Sequence, residues 1–370
     1  MIDFEKRLSS LKNRRQGINE IASLRANVLD GAMDYLPYPD TETYEVLRES
    51  PGIKYAIGAM ASVGQKYTET SINEGNRVAN VVTSGLHGIE SVTTRMQGSV
   101  ALDIHIKGFS DVDMLIICNN PISTQKPHLI PEKYSSSNDN RSISQIINDI
   151  GNHSEKFLRS RFYAATVKRG SKSIAIEGGS LTRKVDIVPS IWYDSHAYQK
   201  SGALHDRGIQ ILDTSKFEVF SNFPFLHIKK VNDKDFQYNG NLKSLIRLIK
   251  NMVADMPESK NKQAKKLTSY DVAAICYHMD SGLNAPGYLR LGLIEKLRIH
   301  LDRISTDHRY KTGLNVPDET RRIFDSQEKD IALEIIRKEV TDLAISIGRE
   351  INPRHWSYTP SDLLNKSVYL

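Results

Sequence analysis

Cysteine is scarce in this chain of 370 residues, with only Cys118 and Cys276 present. Each follows an apolar run, so we expect both to be buried, unreactive thiols in a reduced compartment. Two such cysteines give no disulfide framework, and the eleven histidines form no His-Glu-x-x-His pattern. Because a Cys-x-x-Cys pair is missing as well, the sequence does not indicate a zinc site.

Long apolar and long basic runs are also missing. No apolar run approaches the roughly 18 residues of a membrane-spanning helix, and the opening Met-Ile-Asp-Phe-Glu-Lys-Arg is charged where a signal peptide is apolar. We therefore expect a cytoplasmic protein with no membrane partner. The net charge of +6 suits anionic ligands, but no basic block requires DNA or RNA. Nucleotides alone would account for this charge.

A Gly-Ser turn is the first half of the most informative pattern. The residues are Gln97-Gly98-Ser99, and residues 100–110 separate them from an acidic strand. Gly98 lets the backbone approach a triphosphate closely, because it has no side chain. The Ser99 hydroxyl and the neighbouring N–H groups can donate to phosphate oxygens. The turn is therefore a candidate phosphate site.

The second half of the pattern is the run Asp111-Val112-Asp113-Met114. Side chains two apart on a strand point to the same face, so Asp111 and Asp113 converge while Val112 and Met114 face the core. Carboxylate oxygens are the ligands that Mg²⁺ prefers. The run predicts a metal site, and the alternative is an exposed aspartate pair on an edge strand.

A third carboxylate follows on a later strand. Residues 173–177 and 184–193 are rich in β-branched and aromatic side chains and flank Gly178-Gly179, which predicts a hairpin. Asp186 lies between apolar residues of the second run, where a charge is costly unless it is paired or metal-bound. Together the three aspartates would make a two-metal centre, whereas Asp186 alone could be a solvent-facing strand residue.

Apolar periodicity predicts the order of helices and strands. Helices are predicted over 4–11, from Pro51, and over 76–96, 143–161, 242–253, 272–279, 293–304 and 331–347; strands are predicted over 112–118, 163–169, 173–177 and 184–193. This order favours an α/β fold with a mixed sheet and a helical C-terminal lobe. We predict two domains: residues 1–235, which hold the N-terminal helices and the sheet, and residues 236–370, which close the active-site cleft.

Two positions of the helical half bear on nucleotide chemistry. Lys250 lies at the edge of an apolar helical face, from which a long cationic side chain can reach into a cleft. Ser269 precedes an apolar helix, so it is a helix N-cap, part of one with Thr268, or a phosphate ligand, since helix N-termini attract anions. The neighbouring Tyr270 offers a ring on which any base can stack.

These patterns resemble those of the nucleotidyltransferase superfamily that includes DNA polymerase β. The closer resemblance is to the cGAS/DncV-like bacterial nucleotidyltransferases (CD-NTases), which make cyclic oligonucleotide second messengers in antiphage defence. It covers roughly residues 90–280. The residues that carry it are Gln97-Gly98-Ser99-Val100-Ala101-Leu102, Asp111-Val112-Asp113, Val185-Asp186-Ile187-Val188-Pro189, Lys250 and Ser269-Tyr270.

The resemblance implies a polymerase β-like core and an enzyme that joins NTPs, ATP among them, into a cyclic di- or trinucleotide with release of pyrophosphate. It implies two Mg²⁺ ions, with Mn²⁺ as a substitute, and a product that a separate effector reads. A regulatory protein is a further partner that it admits. The implied catalytic and metal-binding residues are Asp111, Asp113 and Asp186, and the implied nucleotide-binding residues are Gln97, Gly98, Ser99, Lys250, Ser269 and Tyr270.

Two other functions fit parts of the same evidence. One is a template-independent, polymerase-like or single-nucleotide transferase that acts on RNA or protein, and a basic stripe beside the site would favour it. The other is a sensor domain whose catalysis has decayed. The three intact carboxylates argue against the sensor, because a domain without catalysis has no reason to keep them.

Overall fold

The computed structural model describes residues 2–16, 41–134, 138–354 and 358–369. Its helices are α1 (Phe4–Arg15), α2 (Thr43–Val46), α3 (Pro51–Met60), α4 (Gln65–Leu86), α5 (Gly98–Ala101), α6 (Ile143–Arg161), α7 (His196–Ser201), α8 (Pro224–Gln237), α9 (Asn241–Ala254), α10 (Glu258–Ala264), α11 (Ser269–Tyr277), α12 (Leu291–Thr306), α13 (His308–Gly313), α14 (Gln327–Ile351) and α15 (Pro360–Asn365). Its strands are β1 (Val92–Gln97), β2 (Val112–Thr124), β3 (Thr166–Arg169), β4 (Ile174–Glu177), β5 (Val185–Asp194), β6 (Gly208–Asp213) and β7 (Glu218–Asn222). None of these helices is both long and apolar enough to cross a bilayer.

The described residues form two compact units. The sheet unit comprises Gly64–Asp103 and Ser110–Asn232. The helical unit comprises the described residues up to Val63, the segment Ile104–Phe109 and the chain from Asp233 onward. The chain passes from one unit to the other within α8, close to the predicted division at residue 235. The N-terminal helices, however, belong to the helical unit, whereas the sequence placed them with the sheet.

Long-range ion pairs explain the placement of the N-terminal helices. Arg7 of α1 is buried, donates to the Met252 carbonyl of α9 at 3.0 Å and pairs with Glu339 of α14 at 2.9 Å. Arg14 pairs with Asp255, which follows α9. These partners lie more than two hundred residues away along the chain. Because such pairs leave no local signature, sequence periodicity could not reveal them.

The sheet unit is built on seven strands. Five of them lie in the order β1-β2-β5-β4-β3, while β6 pairs with the far half of β5 and with β7. Strands β2 and β5 are parallel, and the other pairs are antiparallel, so the sheet is mixed as predicted. The parallel pair therefore lies between antiparallel neighbours at the centre of the sheet.

Alternation along β2 decides which face is covered by helices. Its residues Val112, Met114, Ile116 and Cys118 are buried in a core that α4 and α6 complete. The intervening Leu115 and Ile117 pack on the opposite face in a smaller apolar cluster that includes Val188 and Trp192 of β5. Since side chains alternate with a period of two, Asp113 and Asp111, which lie two and four residues before Leu115, belong to this second face.

Several predicted elements are confirmed and two are wrong. Helix α6 has the predicted bounds, and α9, α12 and α14 cover three of the predicted C-terminal faces; α11 covers the fourth except for Met279, which follows the end of the helix at Tyr277. The predicted helix over 76–96 instead ends at Leu86, because Gly88 adopts φ +82° and the β-branched run after it forms β1. Strand β2 continues past the predicted end at Cys118, with a register shift before Ser123.

Both cysteines are buried, as predicted. Burial raises the pKa of the Cys118 thiol to about 11, and its sulfur lies 3.0 Å from the Asn120 carbonyl. Burial also raises the pKa of Cys276. Because the thiolate is the reactive form, both side chains are inert at neutral pH.

Candidate active site

The three predicted aspartates lie at the start of the parallel pair β2 and β5. Asp113 and Asp186 are direct neighbours in the register of these strands. Asp111 immediately precedes β2 and lies beside Lys184, whose carbonyl accepts the Val112 N–H at 3.1 Å. Registered neighbours project to one face, as do side chains two apart on a strand. The three carboxylates, which we call the carboxylate cluster, therefore occupy three corners of a square, and the lysine occupies the fourth.

The cluster lies on the face of the sheet opposite to α4 and α6. Val112 and Met114 are at most 2% exposed beneath these helices, which confirms the prediction that they face the core. Asp111 and Asp113 are half-buried on the other face, and the Asp186 side chain is 18% exposed. The site therefore has one rigid apolar side and one side with partial access to solvent.

Gly98 is required by the position of Asp113. It has φ +75°, and a Cβ atom added to it would lie 2.1 Å from Asp113 Oδ2. The cause is the pairing of β1 with β2, in which Gln97 is the direct partner of Asp113. The turn that carries Ser99 therefore begins in contact with the Asp113 carboxylate. The sequence predicted a glycine for approach of a phosphate, whereas the structure adds close packing on a site carboxylate.

Helix α4 supports the cluster from behind. At Gly75 its backbone crosses β2 so closely that an added Cβ would lie 2.7 Å from Val112 Cγ1. Residues within one helical turn of α4 also contact the loop between β4 and β5. The Glu74 carboxylate accepts from the Thr182 N–H at 3.2 Å and from the Thr182 hydroxyl at 2.9 Å. Arg77 donates to the Ser180 carbonyl at 3.1 Å. These contacts hold both strands of the parallel pair in place.

Lys184 supplies the positive charge at the cluster. Its Nζ lies 2.5 Å from Asp111 Oδ2 and 3.7 Å from Asp186 Oδ2. Burial raises the pKa of Asp186, although the lysine opposes this shift. Burial lowers the pKa of Lys184, but Asp111, Asp186 and Glu177 outweigh it, so the net shift is upward. The ammonium form is therefore stabilised by its acidic neighbours.

The donor set fits a hard divalent cation in one specific respect. Asp186 Oδ1 is buried and has no hydrogen-bond partner, which is a costly position for a carboxylate oxygen unless a cation binds it. Within the described ranges, no three His, Cys, Asp or Glu side chains are arranged to hold one metal ion together.

The other predicted site residues lie in the helical unit. Lys250 is on α9, where its Nζ donates to the Ile104 carbonyl at 2.8 Å. Ser269 is exposed at the first position of α11, and Tyr270 follows it. The sheet unit therefore brings together the carboxylate cluster and the Gly-Ser turn, while the predicted phosphate and base contacts lie on two packed helices of the other unit.

Tyr270 is held by a polar network. Its hydroxyl donates to Asp318 Oδ2 at 2.5 Å, and the Arg321 guanidinium lies 5.8 Å from its ring centroid. Burial, followed by the charge of Asp318, raises the Tyr270 pKa. The phenol is therefore neutral and its ring is fixed in orientation, which suits a flat surface for stacking.

The N-cap of α11 is Thr268 and not Ser269, so the prediction of Ser269 as the cap itself is wrong. The Thr268 hydroxyl accepts the Asp271 N–H, and Asp271 in turn accepts the Thr268 N–H, which forms a capping box. Asp271 is fully buried and pairs with Arg321 at 2.6 Å. Thr268 is the N-cap because Asp271, three residues later, can complete the capping box. Three residues after Ser269 is Val272, which cannot.

This assignment separates stability from binding. We expect Thr268→Ala to lower the free energy of unfolding by about 1 kcal/mol, since the cap and its partner are lost. Ser269→Ala should change it by less than about 0.5 kcal/mol, because the side chain is exposed. If Ser269 binds phosphate, the same variant weakens the apparent affinity for NTP. Denaturant unfolding and nucleotide titration of both variants check this, and an unchanged NTP affinity for Ser269→Ala removes Ser269 from the site.

Sequence reasoning missed Lys184 and the role of Gly75. A signal for the lysine was present, because Lys184 and Asp186 are two apart on a predicted strand and must share a face. No signal marks Gly75, since its role depends on where α4 crosses β2.

Comparison with known proteins identifies the family of this chain. Residues 229–343 match the family model described as the cGAS/DncV-like nucleotidyltransferase C-terminal helical domain. The cyclic dinucleotide synthase CdnE of Yersinia aleksiciae is 34% identical over 372 residues, which cover 97% of this chain and 96% of that protein. A c-di-GMP synthase of Lachnospiraceae bacterium strain RUG226 is 30% identical over 299 residues, or 74% of this chain and 79% of that protein.

A solved structure confirms the fold. The STING-associated CdnE c-di-GMP synthase from Flavobacteriaceae sp. matches with a TM-score of 0.71 over 99% of each chain, at 22% identity. The predicted α/β core with a mixed sheet and a helical C-terminal lobe is therefore correct. With the full-length similarity to the Yersinia protein, the chain belongs to the cGAS/DncV-like nucleotidyltransferase family and is a nucleotidyltransferase enzyme of the cyclic oligonucleotide synthase class.

Proposed function

We propose that this enzyme joins two NTPs into a cyclic dinucleotide and releases pyrophosphate at each bond. The observation that carries the proposal is the carboxylate cluster on one face of the parallel pair, with the Gly98 turn packed against Asp113. Relatives named as cyclic dinucleotide and c-di-GMP synthases support the class of product. We expect the product to act in antiphage defence and to be read by a separate effector, with a regulatory protein as a further partner.

The carboxylate cluster would hold two Mg²⁺ ions, or Mn²⁺ in their place. When bound, these ions neutralise charge on the triphosphate and lower the pKa of the acceptor ribose hydroxyl. Asp186 fits this role because its Oδ1 is buried without a hydrogen-bond partner. Asp113 is fixed by its close packing on Gly98, and Asp111 follows the same strand face. Asp113 and Asp186 are thus positioned by strand register, and Asp111 directly precedes β2.

The nucleotide contacts are proposed from the family resemblance together with local geometry. The Ser99 hydroxyl and the N–H groups of the Gly-Ser turn would donate to phosphate oxygens beside the carboxylate cluster, with Gln97 ending β1 at the same point. Lys250 and Ser269 would contact the β and γ phosphates, and the fixed ring of Tyr270 would stack on a base. The Lys250 ammonium group donates to the Ile104 carbonyl at 2.8 Å.

In the reaction, a ribose hydroxyl attacks an α-phosphorus in line, the new P–O bond forms, and the bond to pyrophosphate breaks. A second attack within the linear intermediate closes the ring. Two-metal sites hold the attacking and leaving oxygens of such a displacement together. Because each attack uses one triphosphate, the ring has no terminal phosphate.

Incubation with each NTP alone and with every pair of NTPs, in the presence of Mg²⁺, tests this proposal. We expect a product whose mass is that of two nucleoside monophosphates less one water each. ATP is the predicted substrate. Incubations that contain GTP test whether guanine is used as well, as in the relative named as a c-di-GMP synthase. A linear product that appears only with an added RNA or protein acceptor would favour the polymerase-like or single-nucleotide transferase instead.

A further inference from the structure

Lys184 occupies the fourth corner of the square formed with the carboxylate cluster. It immediately precedes β5, two residues before Asp186, and its carbonyl accepts the N–H of Val112, the residue after Asp111. Its Nζ reaches both carboxylates, at 2.5 Å and 3.7 Å. A lysine at this position is unexpected for a cation site, because its ammonium group repels the metal ion that the carboxylates attract.

The exposure of Lys184, Asp111 and Asp186 indicates how a lysine and a cation site can occupy the same place. The side chains of Lys184 and Asp111 are 33% and 38% exposed, whereas that of Asp186 is 18% exposed. Lysine is a point charge on a flexible stem of four carbons, so it can leave one partner without a change in the backbone. Asp186 keeps one buried oxygen, Oδ1, that the lysine does not satisfy.

We propose that Lys184 is the resident counter-ion of the carboxylate cluster: it keeps the carboxylates ordered without a metal and competes with a divalent cation for Asp111 and Asp186. The inference rests on the proposed metal-binding role of the cluster. Like charges held together on one face repel one another, and a single ammonium relieves part of that repulsion. The same ammonium must be displaced from the carboxylates before a divalent cation binds both. Lys184 is therefore a positioning residue that also sets the cation affinity.

The test measures binding of Mn²⁺ alone to the full-length protein by electron paramagnetic resonance, without nucleotide. A neighbouring charge commonly changes the proton affinity of a carboxylate tenfold or more, so we expect the Mn²⁺ dissociation constant of Lys184→Met to fall about tenfold. Methionine keeps an unbranched stem of similar length and removes the charge together with its hydrogen-bond donors. Lys184→Arg keeps the charge and should bind Mn²⁺ as the wild type does.

Lys168 provides a matched control. Lys168 pairs with Ala175, which pairs with Asp186, so it lies on the same face two strands away from the carboxylate. That spacing is about 10 Å, where screening is strong. Lys168→Met should therefore change the Mn²⁺ dissociation constant less than about twofold. An equal change in both methionine variants would show a general charge effect and would overturn the inference.

A second readout uses no metal. In EDTA, Lys184→Met should lower the thermal unfolding midpoint by about 2–4 °C, since the carboxylates then repel without compensation. Adding Asp111→Asn to that variant should restore most of the loss. A methionine variant that is as stable as the wild type in EDTA contradicts the counter-ion role.

The outcomes distinguish this inference from the metal assignment itself. The metal assignment is overturned, and the inference with it, if Asp113→Asn still binds Mn²⁺ saturably. It is also overturned if the wild type does not bind Mn²⁺. Binding that requires Asp113 but is not tightened by Lys184→Met overturns only the role of the lysine.

Discussion

Asp113→Asn is expected to reduce turnover by about a thousandfold or more while the protein stays folded. Charge stabilisation by metal ions at such sites is worth several kcal/mol, and each 1.36 kcal/mol is tenfold in rate. The fold should survive because the amide has the same shape as the carboxylate, and because the Lys184 pairs with Asp111 and Asp186 do not depend on the residue substituted. Removing one of several like charges also relieves repulsion. Initial rates of pyrophosphate release, with thermal unfolding alongside, measure both effects.

Asp213→Asn is the matched control for this variant. Asp213 ends β6 in the same sheet unit, and its carboxylate accepts from Ser215 and pairs with Lys172 at 3.6 Å. The control should keep its turnover within about twofold, as expected for a substitution away from the site. If Asp113→Asn retained the turnover of the control, the assignment of the carboxylate cluster as the catalytic centre would be wrong.

Gly98→Ala is expected to reduce turnover by about a hundredfold. An alanine at φ +75° costs about 1–2 kcal/mol in strain, and its Cβ would overlap Asp113 Oδ2, so the carboxylate must move. A displacement of 1 Å in a catalytic group can cost about 10²-fold. The loss should appear mainly in kcat, because the displaced group is the one proposed to act at the reacting phosphate. Steady-state kinetics at saturating NTP measure it.

Gly88→Ala separates the backbone strain from the contact. Gly88 has φ +82° in the same unit, but an added Cβ there meets nothing within 4 Å. We expect it to share the loss of about 1–2 kcal/mol in stability and to keep its turnover. If both variants lost turnover equally, backbone strain and not the position of Asp113 would explain the effect of Gly98→Ala.

The part of the site that the sequence revealed depends on local rules. Period-two alternation placed Val112 and Met114 in the core, and the structure confirms it. Hairpin and strand patterns located β4 and β5 and with them Asp186. Such predictions succeed because the register of neighbouring strands follows from side-chain alternation and turn residues.

The rest of the site depends on contacts between distant segments. Gly98 packs on Asp113 because β1 lies beside β2. The sequence pattern predicts a helix over the β1 residues, so this pairing could not be foreseen. The N-terminal helices belong with the C-terminal ones because of pairs such as Arg7 with Glu339. Neither relation repeats along the chain, so neither produces a periodic pattern.

Alkaline phosphatase treatment of α-labelled product tests most directly whether this enzyme closes a ring. A ring keeps its labelled phosphates between two sugars, since the last 5′ triphosphate is spent when the ring closes. We predict a short labelled species from NTPs and Mg²⁺ that phosphatase does not shorten and whose amount, not its length, grows with time. A ladder of phosphatase-sensitive ends that lengthens with time and needs a primer would contradict the cyclic product, without contradicting the catalytic role proposed for the carboxylate cluster.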